Sequence, residues 1–564
     1  MKKSALTLLL TLLSAPLHLQ ATSRPDAGQL LYETRPPAPI QRDRDQEMPE
    51  LPSPEKPVTS NAPISSVFIS GFRFTGNTIF SETELLALMA PYANRAFTLP
   101  ELEQAASVIT SAYRKQGYFL ASVFFPPQTI AKGEPLTIEV VEGILDRIHV
   151  KTNPEETRID RSILSYYANQ LPIGKPLERS ALTSMIMRTN ELPNISTRLL
   201  LEPGTRPGTT SAILHVTEGD PYAFTVNLDN YGNSSTGEYH LNGSMELYSP
   251  LHIADLLTAR VQSSTTGNIR NLQTSYTVPL IAYGTRLGLN ANWMNYELGG
   301  TFSALQASGS ARSVSLTLTQ PLIRKRTLML DTTIGFETRK MRDQIESIAL
   351  DNQRLDSSLQ LGISATRLSN MPLGNTTRGS LALVLGQLTL DDQLALLEDQ
   401  SPEGLHTNGS YSKLNMSIDH SRPLGKGFLF HALSYGQIAR KNLSSSQQLS
   451  LTGPSAVRAF GQDQPSADNG IISSAELHYL METDAEFPGN LELSLFIDHA
   501  YATFHTNPLL QSGPNCRNLA GIGVGVTWFD PGNFSLQATA ALKVAGQGNA
   551  IDNGAILARL IKRF

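Results

Sequence analysis

From Tyr222 onward, hydrophobic and polar residues alternate. Tyr222, Phe224, Val226 and Leu228 interleave with Ala223, Thr225, Asn227 and Asp229. Leu241, Gly243, Met245 and Leu247 do the same with Asn242, Ser244 and Glu246, as do Phe534, Leu536, Ala538, Ala540 and Leu542 with Ser535, Gln537 and Thr539. A period of two places successive side chains on opposite faces of a strand, whereas a helix repeats every 3.6 residues. The pattern predicts sixteen strands, near 222–230, 239–249, 255–264, 271–279, 285–296, 311–319, 328–339, 354–366, 378–388, 411–420, 428–440, 470–481, 490–501, 519–528, 534–545 and 555–564. The span of 343 residues (564 − 221) gives each strand and its connection about 21 residues, and a tilted membrane strand needs about 9–11. An even strand number can close on itself and leave no edge. A large β-sandwich or propeller would carry more charge on its outer face than this polar face does. The prediction is a transmembrane antiparallel β-barrel of 16 strands over 221–564.

Upstream the periodicity changes. In 64–146, Val67 to Phe74 reads as one strand containing a glycine. Ser81-x-x-Glu84 and Thr98-x-x-Glu101 are capping boxes, the second followed by Leu102, Ala105, Ile109 and Tyr113 at helical spacing. Phe119–Phe125 and Leu136–Val141 read as a hairpin around Lys132-Gly133. Residues 147–220 repeat the order of strand, helix, helix, strand, strand. Residues 22–63 hold nine prolines, at 25, 36, 37, 39, 49, 52, 54, 57 and 63, and read as an extended linker. One island in it, 26–35, can form two or three helical turns with Asp26 as N-cap. At 1–21, Lys2 and Lys3 precede the apolar run 5–13 and a small-residue end near Ala21, the pattern of a secretory signal peptide.

Composition narrows the reading. Charged residues make up 17% of the chain and the net charge is −5, which argues against nucleic acid as a partner. A single cysteine, Cys516, excludes an intrachain disulfide, and it reads as a loop residue before strand 14. No HExxH, GxSxG or GxxxxGK motif occurs, and the eleven histidines show no ligand spacing. The expectation is therefore no catalytic residues, no metal ligands and no cofactor.

Several motifs together resemble a known family. Phe74-Thr-Gly-Asn-Thr78, with Gly76 and Asn77, resembles the start of a POTRA domain. Tyr113 to Tyr118, Ala121 to Gln128 and Ile138 to Gly143 resemble its end. Asp229 to Gly232 and Ser235 to Gly237 resemble the start of the barrel. Val457-Arg458-Ala459-Phe460, in the long connection 441–469, resembles a V-R-G-(F/Y) tetrad. Phe496-Ile-Asp498-His-Ala500, on strand 13, resembles F-x-D-x-G. Both glycine positions carry alanine here. The terminal Phe564 is similar to the recognition signal of outer-membrane proteins. Across essentially the whole mature chain, the sequence resembles the transporters of two-partner (type Vb) secretion, the haemolysin and filamentous-haemagglutinin exporters of the POTRA-plus-barrel superfamily.

The resemblance implies a bacterial outer-membrane pore with two periplasmic POTRA domains. It would recognise an unfolded exoprotein by that partner's N-terminal secretion domain and export it to the cell surface. Its other partners would be outer-membrane lipid and, during biogenesis, the barrel-assembly machinery. It also implies a plugging helix at 26–35. On strand 13, Leu491, Leu493, Leu495 and Ile497 form one face and Glu492, Ser494, Phe496 and Asp498 the other. With the apolar face in lipid, Asp498 points into the lumen, where Arg458 of an inward-folded loop can pair with it and Glu476 is a second acceptor. The alternatives are an outer-membrane protein insertase of the same superfamily, or a passive porin or nutrient receptor.

Overall fold

The computed structural model describes residues 24–34, 66–129, 134–153, 155–280, 283–369, 374–462, 465–481, 489–508, 514–546 and 553–564. The expected signal segment 1–21, most of the expected linker and the turn at Lys132-Gly133 lie outside the described residues. Helix α1 (Ala27–Glu33) starts at Asp26, whose carboxylate accepts from the backbone N–H groups of Gly28 and Gln29.

The first α+β unit comprises β1 (Val67–Ile69), β2 (Phe72–Thr75), α2 (Glu82–Met89), β3 (Arg95–Phe97), α3 (Leu99–Lys115), β4 (Ser122–Phe124) and β5 (Leu136–Val141). The single strand expected over Val67–Phe74 is two strands in two sheets. β1 pairs with β3, and β2 lies parallel to β5. Side-chain parity explains the break. Ile69, Phe72 and Phe74 are all buried, and a continuous strand would turn Ile69 away from the other two. Both expected capping boxes form: Ser81 N–H donates to Glu84 and Thr98 N–H to Glu101, each at 2.8 Å.

The second unit comprises β6 (Ile144–Thr152), α4 (Arg161–Ala168), α5 (Arg179–Asn190), β7 (Ile195–Pro203) and β8 (Thr209–Glu218). Its sheet order is β6-β8-β7, with β6 and β8 parallel and β7 antiparallel. The first unit has the same plan, β2-β5-β4, with the same senses. Each unit has its own apolar core, around Ile109, Tyr113 and Ile138 in the first and Leu164, Leu182 and Leu214 in the second.

The remaining strands are β9 (Tyr222–Asp229), β10 (His240–Tyr248), β11 (Leu256–Ser264), β12 (Ile269–Pro279), β13 (Arg286–Glu297), β14 (Ala307–Lys325), β15 (Leu328–Ile345), β16 (Leu350–Leu368) and β17 (Thr376–Leu390). After α6 (Gln393–Asp399) come β18 (Gly409–Gly425), β19 (Phe428–Ala439), β20 (Asn469–Met481), β21 (Asn490–Thr503), β22 (Cys516–Asp530), β23 (Phe534–Ala545) and β24 (Gly554–Arg563). These sixteen strands, β9–β24, form a closed antiparallel barrel, as the alternation predicts. Every neighbouring pair is consecutive in sequence except the closing one, β24 with β9.

β14, β15 and β16 are longer than their alternation suggests. The segment Ala307–Ala311 is a run of small residues with no apolar outer face, and Ala307 and Ala311 instead pack inward against α1. Cys516 starts β22 and does not lie in the loop before it, because β21 continues to Thr503, whose registered partner is Cys516. Outward-facing Leu493, Leu495 and Ile497 are exposed, while Glu492, Phe496 and Asp498 between them are buried. No described helix is long and apolar enough to cross a membrane.

Candidate functional site

The connection 440–468 turns back into the barrel. Its apolar residues Leu449, Leu451, Val457, Ala459 and Phe460 pack onto Ile472, Phe496, Ala500 and Leu519 of the wall. Gly521 and Gly523 of β22 make room for this contact. A Cβ on Gly521 would lie 2.6 Å from the Ala459 side chain, and one on Gly523 would lie 2.3 Å from the Phe496 ring. Neither Ala459 nor Ala500 has a positive φ, so alanine replaces the expected glycine without backbone strain.

This packing brings Arg458 to Asp498, which is fully buried. Arg458 Nε donates to Oδ2 at 2.9 Å and Nη2 to Oδ1 at 2.7 Å, a bidentate pair, and the Arg458 backbone N–H adds a bond of 3.1 Å. Nη2 also lies 2.7 Å from Glu476 Oε1 and donates to Ser474 Oγ at 3.0 Å. The guanidinium sits 3.4 Å from the centroid of the Phe496 ring. One cation thus meets two carboxylates and an aromatic face in a place sheltered from water, where each interaction is strongest. Val457 and Phe460 flank the arginine as apolar anchors, and Lys543 stands 5.1 Å from the Phe460 ring.

The first half of the loop is held by β15, β16 and β18, through residues that the motif reading misses. Lys413 Nζ donates to Gln447 O at 2.7 Å, Arg339 Nη1 donates to Ser446 O at 3.0 Å, and Asp356 accepts from Gln447 Nε2 at 2.7 Å. The loop therefore spans the lumen. Alternation marks these residues only as inward charges, and β15 alone carries Asp331, Glu337 and Asp343 on the same face as Arg339.

Helix α1 lies inside the barrel against this loop. Asp26 accepts from Ser445 Oγ at 2.7 Å and pairs with Arg354 at 3.0 Å. The Ala27 N–H donates to Asp343 at 2.8 Å, and Asp343 also pairs with Arg354. A Cβ on Gly28 would lie 2.6 Å from the Ser446 backbone nitrogen, so only glycine permits this approach. Leu30 and Leu31 bury into a cluster with Ile269, Met294, Tyr296 and Met341.

In the first α+β unit the expected motif residues serve its own fold. Phe74 is core, and Tyr118 stacks edge-on against Tyr113. Gly76 has φ 81°, with the Val140 carbonyl where a Cβ would stand, and Gly143 has φ 71°. Asn77 Nδ2 donates to Phe80 O at 2.9 Å. Gln128 exchanges two bonds with the Thr137 backbone. Glu142 lies inside the motif segment Ile138 to Gly143. It is buried and accepts from Thr78 and Ile79 N–H, Thr78 Oγ1 and Tyr113 Oη. Burial works to raise its carboxyl, but these donors outweigh burial and hold it below the usual range. Burial and the bond to Glu142 push the Tyr113 phenol up. Phe564 is exposed, with its ring 6.0 Å from that of Phe224 and its N–H bonded to Phe224 O at 2.9 Å.

The histidines are not all isolated. Register places His431 opposite Glu476, with His478 two residues further along the same face. His499 faces outward and is exposed, as its parity requires.

Residues 208–528 match the family described as haemolysin secretion/activation protein ShlB/FhaC/HecB, and residues 67–143 match the ShlB-type POTRA domain. The heme/hemopexin transporter protein HuxB of Haemophilus influenzae is 26% identical over 97% of this chain and 96% of its own. The hemolysin transporter protein ShlB of Serratia marcescens is 25% identical over 71% of this chain and 70% of its own. Among solved structures, CdiB from Escherichia coli superposes with a TM-score of 0.72 at 22% identity, covering 92% of this chain and 94% of its own, a likeness of fold. With the family match extending over more than half of the sequence, on a barrel with an inward loop, the chain belongs to the haemolysin secretion/activation family of two-partner secretion transporters of the outer membrane.

Proposed function

We propose that this transporter works by a doubly obstructed lumen that the arriving exoprotein opens. The observation that carries the reading is the Arg458–Asp498 pair, which pins a loop lying across the pore. The exoprotein, unfolded in the periplasm, docks first on the two α+β units. β7 is an outer edge of its sheet, nine residues long, and a sheet edge can accept an extended polypeptide by strand addition. Insertion of the barrel itself, with lipid around its apolar face, falls to the barrel-assembly machinery, for which Phe564 is the proposed signal. Co-expression of the chain with the exoprotein that it serves should place that exoprotein in the culture medium. Retention in the periplasm, with the transporter correctly inserted, would overturn the export reading.

Helix α1 is the second obstruction in this proposal. Its seat is the Asp343–Arg354–Ser445 cluster, and its removal opens the space beside the loop. Deleting 22–45 should raise the single-channel conductance in planar bilayers several-fold. The substitution Gly28→Leu, which forces a side chain into the Ser446 backbone, should do the same to a smaller extent. Unchanged conductance in both variants would show that α1 does not plug the pore.

A further inference from the structure

His431, Glu476 and His478 meet inside the barrel just beyond the loop contact. All three are buried, and their potential donor atoms lie within 4.8 Å of one another. The register makes this meeting unavoidable. Glu476 and His478 are two residues apart on β20 and so share the inward face, while His431 on β19 is directly opposite Glu476.

The ring nitrogens are sorted into two sets. His431 Nε2 lies 2.8 Å from Asp419 Oδ2, and His478 Nδ1 lies 3.1 Å from Glu492 Oε1. The other nitrogen of each ring is also buried: Nδ1 of His431 makes no hydrogen bond, and Nε2 of His478 faces the Glu476 carboxylate. A carboxylate behind each imidazole favours the proton on the far nitrogen, which leaves a lone pair on His431 Nδ1, while an arriving cation takes the place of the proton that His478 Nε2 shares with Glu476. Glu476 completes the set. Its Oε2 stands 2.9 Å from His478 Nε2, while Oε1 is turned the other way, to Arg458.

We infer that His431 Nδ1, His478 Nε2 and Glu476 Oε2 form a binding site for a divalent transition-metal ion, with zinc the best match to two imidazoles and one carboxylate. Zinc bonds to these donors are about 2.0–2.2 Å, and donor atoms that already lie within 4.8 Å of one another reach a shared ion by small χ rotations. Three protein ligands leave a fourth position open to water. The carboxylates of Asp419 and Glu492 supply the outer support that metal-bound histidines ordinarily have.

The test is a zinc titration of the full-length transporter in detergent, purified without a histidine tag and stripped with a chelator. One zinc ion per chain is expected, and His431→Ala and His478→Ala should each weaken binding at least ten-fold. His499→Ala, on the outer face, should leave binding unchanged. Heat-modifiable gel mobility reports that each variant is a folded barrel. Zinc binding that is absent from the parent protein, or that persists undiminished in the folded His431→Ala and His478→Ala variants, would overturn the assignment.

Discussion

Arg458→Ala and Asp498→Ala are each expected to reduce export of the exoprotein by at least ten-fold while leaving the barrel inserted in the outer membrane. Removing Arg458 leaves Asp498 fully buried, with Ser474 Oγ and one backbone N–H as its remaining donors and the Glu476 carboxylate nearby. Breaking a buried ion pair at one end costs about 3–5 kcal/mol. The barrel does not depend on that energy, because its closure rests on interstrand backbone pairing around the whole ring. The strain is therefore relieved by release of the loop. The two single variants should be non-additive, the double variant being little worse than either one. Arg458→Lys should restore export only in part, since an ammonium cannot reproduce the bidentate bond and the stacking on Phe496 together. Export measured in culture supernatants, against transporter levels in outer-membrane fractions, decides the matter. Full secretion by both alanine variants would mean that the pair is structural only.

Deleting 64–218 should abolish export altogether, with a barrel that still inserts and conducts ions. The two α+β units bury their apolar residues in cores separate from those of the barrel lumen, so their loss exposes no lumenal cluster. The second unit meets the barrel through buried Ala254 and through ion pairs. Glu191, just after α5, pairs with Arg286 at 3.3 Å and with Arg324. Arg324 keeps Asp331 at 2.6 Å when Glu191 is gone, so no buried cation is stranded. What disappears is the proposed docking edge, and with it the proposed step that brings an unfolded chain to the pore. The result is read as exoprotein in the medium together with channel activity of the purified barrel. Export that survives the deletion would remove the α+β units from the recognition step.

The strands were legible in the sequence because a membrane barrel writes its two faces as alternating residues, and each predicted strand overlaps one in the structure. Length was less legible. Beyond the apolar belt no alternation is required, so the small-residue extension Ala307–Ala311 carries no periodic signal. Parity misled at Val67–Phe74, where two short strands in different sheets read as one until the burial of Ile69 is known. Arg458 and Asp498 stood out because each lies in a compact motif. The contacts of Asp26 with Ser445 and Arg354 span hundreds of residues between elements without a common pattern. The His431, Glu476 and His478 cluster depends on interstrand register, which alternation alone leaves open.

The closing pair of the barrel has a mechanical consequence. The β9–β24 register runs from Thr225–Arg563 to Asp229–Arg559, whereas β14–β15 runs from Ala307–Ile345 to Lys325–Leu328. A ring under outward load yields first at its shortest joint. Any dilation needed to pass a polypeptide is thus concentrated at one seam, far along the circumference from the tall β14–β16 wall that holds α1. The fold divides the ring into a compliant sector and a stiff one.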